Sequence, residues 1–412
     1  MQRSSSVRTI LVAVALGLSL SASAQEIENR GGGDNGFKVG AGRLHPFVEV
    51  EGRYDSNVLY FAGGKIGDMI LHVRPGFSLQ VPGSLMNVDL DALVDWNKYL
   101  GVNDAGTAFS KLYLNANLGV TVRPNGKYSL ELKDQFRRSD QTPSLSLGTA
   151  VISDLNDLKL TVPMQPGGGA LLLSVGGEWQ MESFESFESS WSCGTSACSA
   201  FSYNQLTGSG EARWLFLPRT AVVFNVDYFA RMPKDTTVAL KVSGLHTTIG
   251  LTGLISPHVA ATAKVGYGDT FGSAGPSYRT WLANAEVEYI ASETASVRLG
   301  YLHTYAADAG GLQVSLYGIS RVYTDGHILV AGQVTLKAEA EWDRISYALG
   351  VLDGASSDIL KISPSAEVEL VRWARLAAGY ALSYRTAGDL LAAVPAFNFT
   401  KHETWLRLTL VY

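Results

Sequence analysis

The chain is 412 residues long, 46% hydrophobic and 17% charged, with a formal net charge of −5. A soluble protein carries about 25% charged residues; this composition is too apolar for disorder and too poor in charge for a coiled coil. The negative balance speaks against a general nucleic-acid-binding surface, and two cysteines exclude a disulfide-dense scaffold.

Residues 1–24 read as an export signal: Arg3 and Arg8, an apolar run from Ile10 to Leu20, then Ala22-Ser23-Ala24 before the cut at Gln25. Gln25 is not a cysteine, so no lipid anchor is indicated. Residues 25–43 read as a flexible periplasmic lead-in containing Gly31 to Gly36, too short for a plug domain. Past residue 24 no apolar run reaches the roughly 18 residues expected of a membrane helix. Residues 44–412 therefore read as either a soluble exported domain or a transmembrane β-barrel.

Periodicity decides for the barrel. Between 86 and 97, Met86, Val88, Leu90, Ala92, Val94 and Trp96 alternate with Asn87, Asp89, Asp91, Leu93, Asp95 and Asn97. Only a strand sorts side chains this way, because successive residues point to opposite faces. Leu112, Leu114, Ala116, Leu118 and Val120 alternate with Tyr113, Asn115, Asn117 and Gly119 in the same fashion. So do Leu376, Ala378, Tyr380 and Leu382 with their neighbours, and finally Leu406, Leu408, Leu410 and Tyr412. These runs match the roughly 9–11 residues that cross a bilayer at a tilt.

Short turns alternate with longer polar connectors. The turns are placed at Pro82-Gly83, Pro124 to Gly126, Gln165 to Gly169, Pro218-Arg219, Ser256-Pro257, Ser292-Glu293, Asp325-Gly326 and Arg372-Trp373. The rhythm predicts an all-β, antiparallel up-and-down barrel of about 18 strands, with 16 as the alternative count. The segments 151–163 and 311–323 are poorly patterned, and 327–352 reads as one strand or two.

In this frame Asp89, Asp91, Asp95, Asn115, Asn117, Glu286, Glu288, Glu339, Glu341, Glu367, Glu369, Arg298, Arg375, Arg385 and Arg407 face the lumen. Both charge signs are present, which predicts weak ion selectivity. Aromatics including Tyr54, Tyr60, Trp96, Tyr99, Trp281, Tyr289, Trp342 and Trp373 are expected in the interfacial girdles. Cys193 and Cys198, in the polar loop 186–201, are expected to pair in an oxidising compartment. That loop is the longest and is a candidate for folding into the pore. Leu406, Leu408, Leu410 and the terminal Tyr412 resemble the C-terminal signal read by the barrel-assembly machinery.

The seven histidines are scattered, and no nucleophile elbow or phosphate-binding loop occurs. The expectation is a protein that is not an enzyme and needs no cofactor or metal. Its surroundings would be outer-membrane lipid on one side and a polysaccharide or small solute in the lumen.

The first hairpin carries a more specific signal. Phe47 to Tyr54, Asp55-Ser56-Asn57-Val58, then Asp68 and Arg74-Pro75-Gly76 resemble the β-barrel porin 2 family of outer-membrane proteins. Here Pro75 follows Arg74 directly, a departure from the family spacing, and the likeness covers about residues 45–100. The resemblance implies a conduit for export of a cell-surface polysaccharide, working with a periplasmic polysaccharide-export protein. The alternative is a general or solute-selective diffusion porin. Asp55, Ser56 and Asn57 are turn formers. Pro75, lacking an N–H, predicts a bulge or unpaired position in its strand.

Overall fold

The computed structural model describes residues 36–60, 62–101, 110–143, 150–185, 198–237, 241–272, 277–307, 316–348, 354–388 and 398–412. The export signal, Cys193 and residues 186–197 lie outside them. A short strand, β1 (Phe37–Val39), precedes β2 (Gly42–Asp55), β3 (Asp68–Val81), β4 (Met86–Tyr99), β5 (Leu112–Val122) and β6 (Leu130–Pro143). Next come β7 (Ala150–Met164), β8 (Leu171–Glu185), β9 (Tyr203–Leu217), β10 (Thr220–Pro233), β11 (Val242–Ser256) and β12 (Val259–Gly272). The chain closes with β13 (Arg279–Ser292), β14 (Ala295–Ala307), β15 (Leu316–Val330), β16 (Val334–Tyr347), β17 (Ser356–Val371), β18 (Ala374–Ala387) and β19 (Phe399–Val411).

Strands β2 to β19 pair antiparallel with their sequence neighbours, and β19 returns to β2 from Glu403↔Asp55 to Val411↔Phe47. This is a closed 18-stranded barrel. Closure removes every edge strand, so the backbone groups of each strand find partners without water. Two-residue turns such as 218–219, 257–258 and 372–373 gather at one end of the barrel, and the longer connectors at the other.

β1 is a departure from the expected flexible lead-in. Phe37, Lys38 and Val39 pair with Leu44, Arg43 and Gly42. The same stretch of β2 is taken by β3 on its other edge. β1 therefore occupies the part of the seam that β19 leaves below Pro46, where the Tyr412 N–H donates to the Pro46 carbonyl. The Phe37 and Tyr412 rings meet at 5.0 Å. Backbone pairing with β2 and the ring contact with Tyr412 order a segment that composition alone reads as loose, while its side chains stay exposed.

A second correction concerns Asp325-Gly326, which the turn chemistry of Asp-Gly places between strands. Both lie inside β15, paired with Val297 and Arg298 on one side and Ala338 and Glu339 on the other. The turn falls instead at 331–333, where Ala331 and Gly332 take positive φ. Two neighbouring strands and an ion pair from Asp325 to Arg298 outweigh the local preference.

Pro75 behaves as its missing N–H requires. The β3–β4 ladder runs through Val73↔Trp96, omits the next two pairs, and resumes at Gly76↔Leu93, while the β2–β3 ladder is continuous. Pro364 in β17 interrupts the β18 ladder in the same way, between Ile362↔Leu382 and Ser365↔Gly379.

The distribution of polarity is inverted relative to a soluble protein. Val48, Val50, Val94, Leu112, Leu114, Val175, Leu206, Ile249, Leu251, Val265, Val287, Leu299, Leu336 and Leu406 are exposed on the outer surface. Glu49, Glu51, Asp55, His72, Arg74, Asp343, Arg385 and Lys401 are buried inside. Outward-facing charges such as Arg138, Asp154 and Glu185, which pair with one another, sit at the loop end of their strands. Strands β2 to β19 span 11 to 16 residues, at or above the roughly 9–11 a bilayer needs. Their surplus length projects at the loop end, where the outer surface turns polar.

Candidate functional site: the lumen wall

The inward face of β2, β3, β4 and β19 carries one connected set of charges. Arg74 Nε donates to Asp95 at 2.8 Å and its NH1 to Glu51 at 3.0 Å. Glu51 also accepts from Arg53 at 2.7 Å, and Arg53 reaches Glu403 at 3.5 Å. His72 Nδ1 lies 3.1 Å from Asp95. The period of two explains the set. With Val48 and Val50 facing out, Glu49, Glu51, Arg53 and Asp55 all face in, opposite the even-numbered residues of β3. Cross-strand opposite charges of this kind stiffen a wall whose polar side is hydrated.

A second set lies on β13 to β17. Arg321 bonds Asp343 at 2.7 Å and Glu341 at 3.2 Å, and Lys361 also reaches Glu341 at 3.2 Å. Arg298 pairs with Asp325 at 2.9 Å, and the Tyr323 hydroxyl donates to Glu286 at 2.6 Å. Tyr323 lies flat over Gly300 on the next strand, where a Cβ would come within 2.1 Å of the ring. Gly379 accommodates the ring of inward-facing Trp405 in the same way.

The remaining anticipated lumen residues sit along these ladders. Asp89 is opposite Gly119, Asp91 opposite Asn117, and Asn115 opposite Leu93 on one side and Arg137 on the other. Glu288 is opposite Arg298, Glu339 opposite Asp325, Glu367 opposite Ala377, and Glu369 opposite Arg375. Arg407 is opposite Glu51, with its guanidinium 5.1 Å from the Trp405 ring. Arg385 is buried and donates to the Tyr347 and Ser357 hydroxyls. Sequence reading singled out neither Lys401, Arg321, Asp343 nor Lys361. The alternation of their strands, carried through β15 to β17 and β19, was the signal for them.

The loop end of the lumen is different in kind. Val58, Leu59 and Tyr60, just past β2, are buried with inward-facing Ile70, Tyr99, Tyr113 and Phe399. A second buried cluster joins Tyr317, Ile319, Ile345, Tyr347 and Ile359. A third joins Phe229, Val242, Leu282 and Tyr305, with the Tyr305 hydroxyl donating to the Asp269 carbonyl at 2.9 Å. Tyr60 and Tyr99 thus belong to the lumen, not to the girdle expected for them. Tyr54, Trp96, Trp281, Tyr289, Trp342 and Trp373 are exposed outside. Among the described residues the first connector, 56–60, folds inward; most of the loop 186–201, the candidate from the sequence, lies outside them.

The inward turn is built by the first-hairpin residues. Asp55 accepts from the Asn57 N–H at 2.8 Å, and the Asn57 amide donates to the Thr400 carbonyl at 3.2 Å. Asp55 also pairs with Lys401 at 2.8 Å. Lys401 Nζ donates to the Tyr60 hydroxyl at 3.1 Å, and the Tyr60 ring packs edge-on against Phe399. Burial pushes the Tyr60 phenol up to about 12, against the pull of the Lys401 charge.

Cys198 is disulfide-bonded and begins a 3-10 turn, Cys198–Phe201, at the start of β9. Its Ser202 neighbour accepts the Phe184 N–H through its hydroxyl. Among the described residues no group of three or more His, Cys, Asp or Glu could hold a metal ion. Leu406, Leu408 and Leu410 point outward and Tyr412 is exposed at the turn end.

An apolar outer band and a polar, ion-paired interior on a closed 18-stranded sheet admit one location. The chain is an outer-membrane β-barrel. No protein-family model matches it, and no curated protein does. The likeness of the first hairpin to β-barrel porin 2 proteins therefore stands on its own residues. Solved structures with a similar trace include OpdK of Pseudomonas aeruginosa bound to vanillate, at 12% identity, covering 90% of this chain and 98% of that one, TM-score 0.47. OccK2 of the same organism, in complex with glucuronate, is 11% identical over 92% and 99%, TM-score 0.48. The FrpB iron transporter of Neisseria meningitidis is 8% identical over 89% and 81%, TM-score 0.49. At these levels the likenesses carry no argument about cargo.

Proposed function

We propose that this barrel is a diffusion channel for small polar solutes. The observation that carries the reading is the inward-packed segment Val58 to Tyr60, together with the two other apolar clusters at the loop end. They narrow one mouth of a lumen whose wall below is polar and ion-paired. A small solute can pass such a mouth after shedding part of its hydration. A hydrated polysaccharide needs a wide polar bore along its whole path, so the export reading, with its periplasmic partner, is the less favoured one. It retains the support of the first-hairpin resemblance alone.

The test is swelling of liposomes containing the purified barrel, with mono- to tetrasaccharides as solutes. Passage of the smallest and exclusion of the largest supports the channel reading. A deletion strain that loses surface polysaccharide, with liposomes impermeable to every sugar, would reverse the ranking.

A further inference from the structure

The barrel closes where β19 meets β2, and the inward segment 56–60 begins at that seam. Three consecutive residues of β19, Thr400, Lys401 and His402, tie the two together. Lys401 on β19 bonds both Asp55 and the Tyr60 hydroxyl. The Asn57 amide donates to the Thr400 carbonyl. The Ser56 N–H donates to the His402 carbonyl, and the His402 N–H returns a bond to the Ser56 hydroxyl.

We propose that Lys401 is a positioning residue that holds segment 56–60 inside the lumen, and that this segment sets the size limit of the channel. The inference rests on the solute-channel reading for its second half only.

The physical case is one of placement and charge. Lys401 and Asp55 are both fully inside the wall, with side-chain exposures of 2% and 0%. A buried ammonium is costly unless each of its donors is used. Here it is surrounded by Asp55, the Tyr60 hydroxyl and, at 3.7 Å, Glu403. Moving the segment outward would strip the Tyr60 bond from the ammonium and the apolar contacts of Val58 and Leu59 at once. Tyr60 takes a positive φ of 58°, a conformation that a bulky residue keeps only when its surroundings hold it. The ammonium supplies a fixed point for a turn with no regular structure of its own. Asp55 serves both sides of the junction. One of its oxygens accepts the Asn57 N–H that starts the turn, and the other faces Lys401 across the seam.

Two measurements on the full-length barrel test the two halves separately. The first is the rate at which a membrane-impermeant maleimide labels Leu59→Cys, in a background where Cys193 and Cys198 are replaced by Ser. With Lys401 present the thiol is shielded. In K401M, and in the double variant D55N/K401M that leaves no bare buried carboxylate, labelling rises about tenfold or more, the scale set by losing charged hydrogen bonds. The second is the sugar size limit in liposome swelling, in proteins with the native Leu59. Both variants admit a larger sugar than the wild type, with the heat-modifiable mobility of the folded barrel retained. Unchanged labelling shows that Lys401 does not hold the segment. Faster labelling with an unchanged size limit shows that the segment does not set it. If no variant passes any sugar while labelling still rises, the positioning role stands and the solute-channel reading fails, taking the size-limit claim with it.

Discussion

At the scale of single residues, the seam is where sequence reading reaches its limit. Alternation around Val48 and Val50 puts Glu49, Glu51 and Asp55 inside, and that much is legible from β2 alone. What Asp55 meets is not, because Lys401 is near the other end of the chain and only barrel closure brings them together. Tyr60 was misplaced for the same reason. An aromatic just past a strand end fits a girdle, and only the Phe399 and Lys401 contacts show that the chain turns inward. Its buried phenol makes a pH prediction. An ordinary Tyr ionises near pH 10, whereas Tyr60 does so at about 12. A proton held more tightly in the folded state than in the unfolded one means stability present below pH 10 and lost as pH rises towards 12. The wild type minus Y60F difference in absorbance at 295 nm is expected to titrate late, near 12. A difference titrating at 10 would place Tyr60 in water.

At the scale of elements, the two faces of a strand should tolerate change unequally. Leu90 and Leu114 face outward and Asn115 inward. An arginine at Leu90 near the middle of the band is expected to cost roughly 2–4 kcal/mol in urea unfolding from lipid vesicles, and the same change at Asn115 far less. Equal tolerance would contradict the face assignment. Glycines add a second asymmetry. Gly300→Ala places a methyl within 2.1 Å of the Tyr323 ring, so the ring that bonds Glu286 must tilt away from the wall. A loss of about 1–3 kcal/mol is expected, as for other overpacked sites. Hairpin rhythm was readable wherever turn residues and alternation agreed, as at Pro82-Gly83 and Arg372-Trp373. It failed at Asp325-Gly326, where Asp325 is needed as the partner of Arg298, and pairing on both sides overrode the local signal. Pro75 was legible because a missing N–H acts whatever the context.

At the scale of the whole molecule, the arrangement of charge along the lumen decides what the channel can discriminate. Strong selectivity for one ion sign needs a ring or strip of one charge facing the permeant ion. Here acids and bases alternate across neighbouring strands. Arg74 sits between Glu51 and Asp95, Arg321 between Glu341 and Asp343, and Arg298 between Glu286 and Asp325. Arg53 also bonds Glu51 and Lys361 also bonds Glu341, so the first two sets are neutral and the third keeps one excess acid; little net potential extends into the water of the bore. The wild-type barrel in a planar bilayer under a KCl gradient is therefore expected to show a reversal potential close to zero. Removing one base shifts that balance. R321M leaves Glu341 and Asp343 facing the lumen with Lys361 as their remaining cation, and is expected to move the reversal potential towards cation preference. The shift should shrink as salt is raised, because screening shortens the reach of the uncovered charge. A wild-type channel already strongly selective, or an R321M channel with no shift at low salt, would show that these pairs do not line the path the ions take.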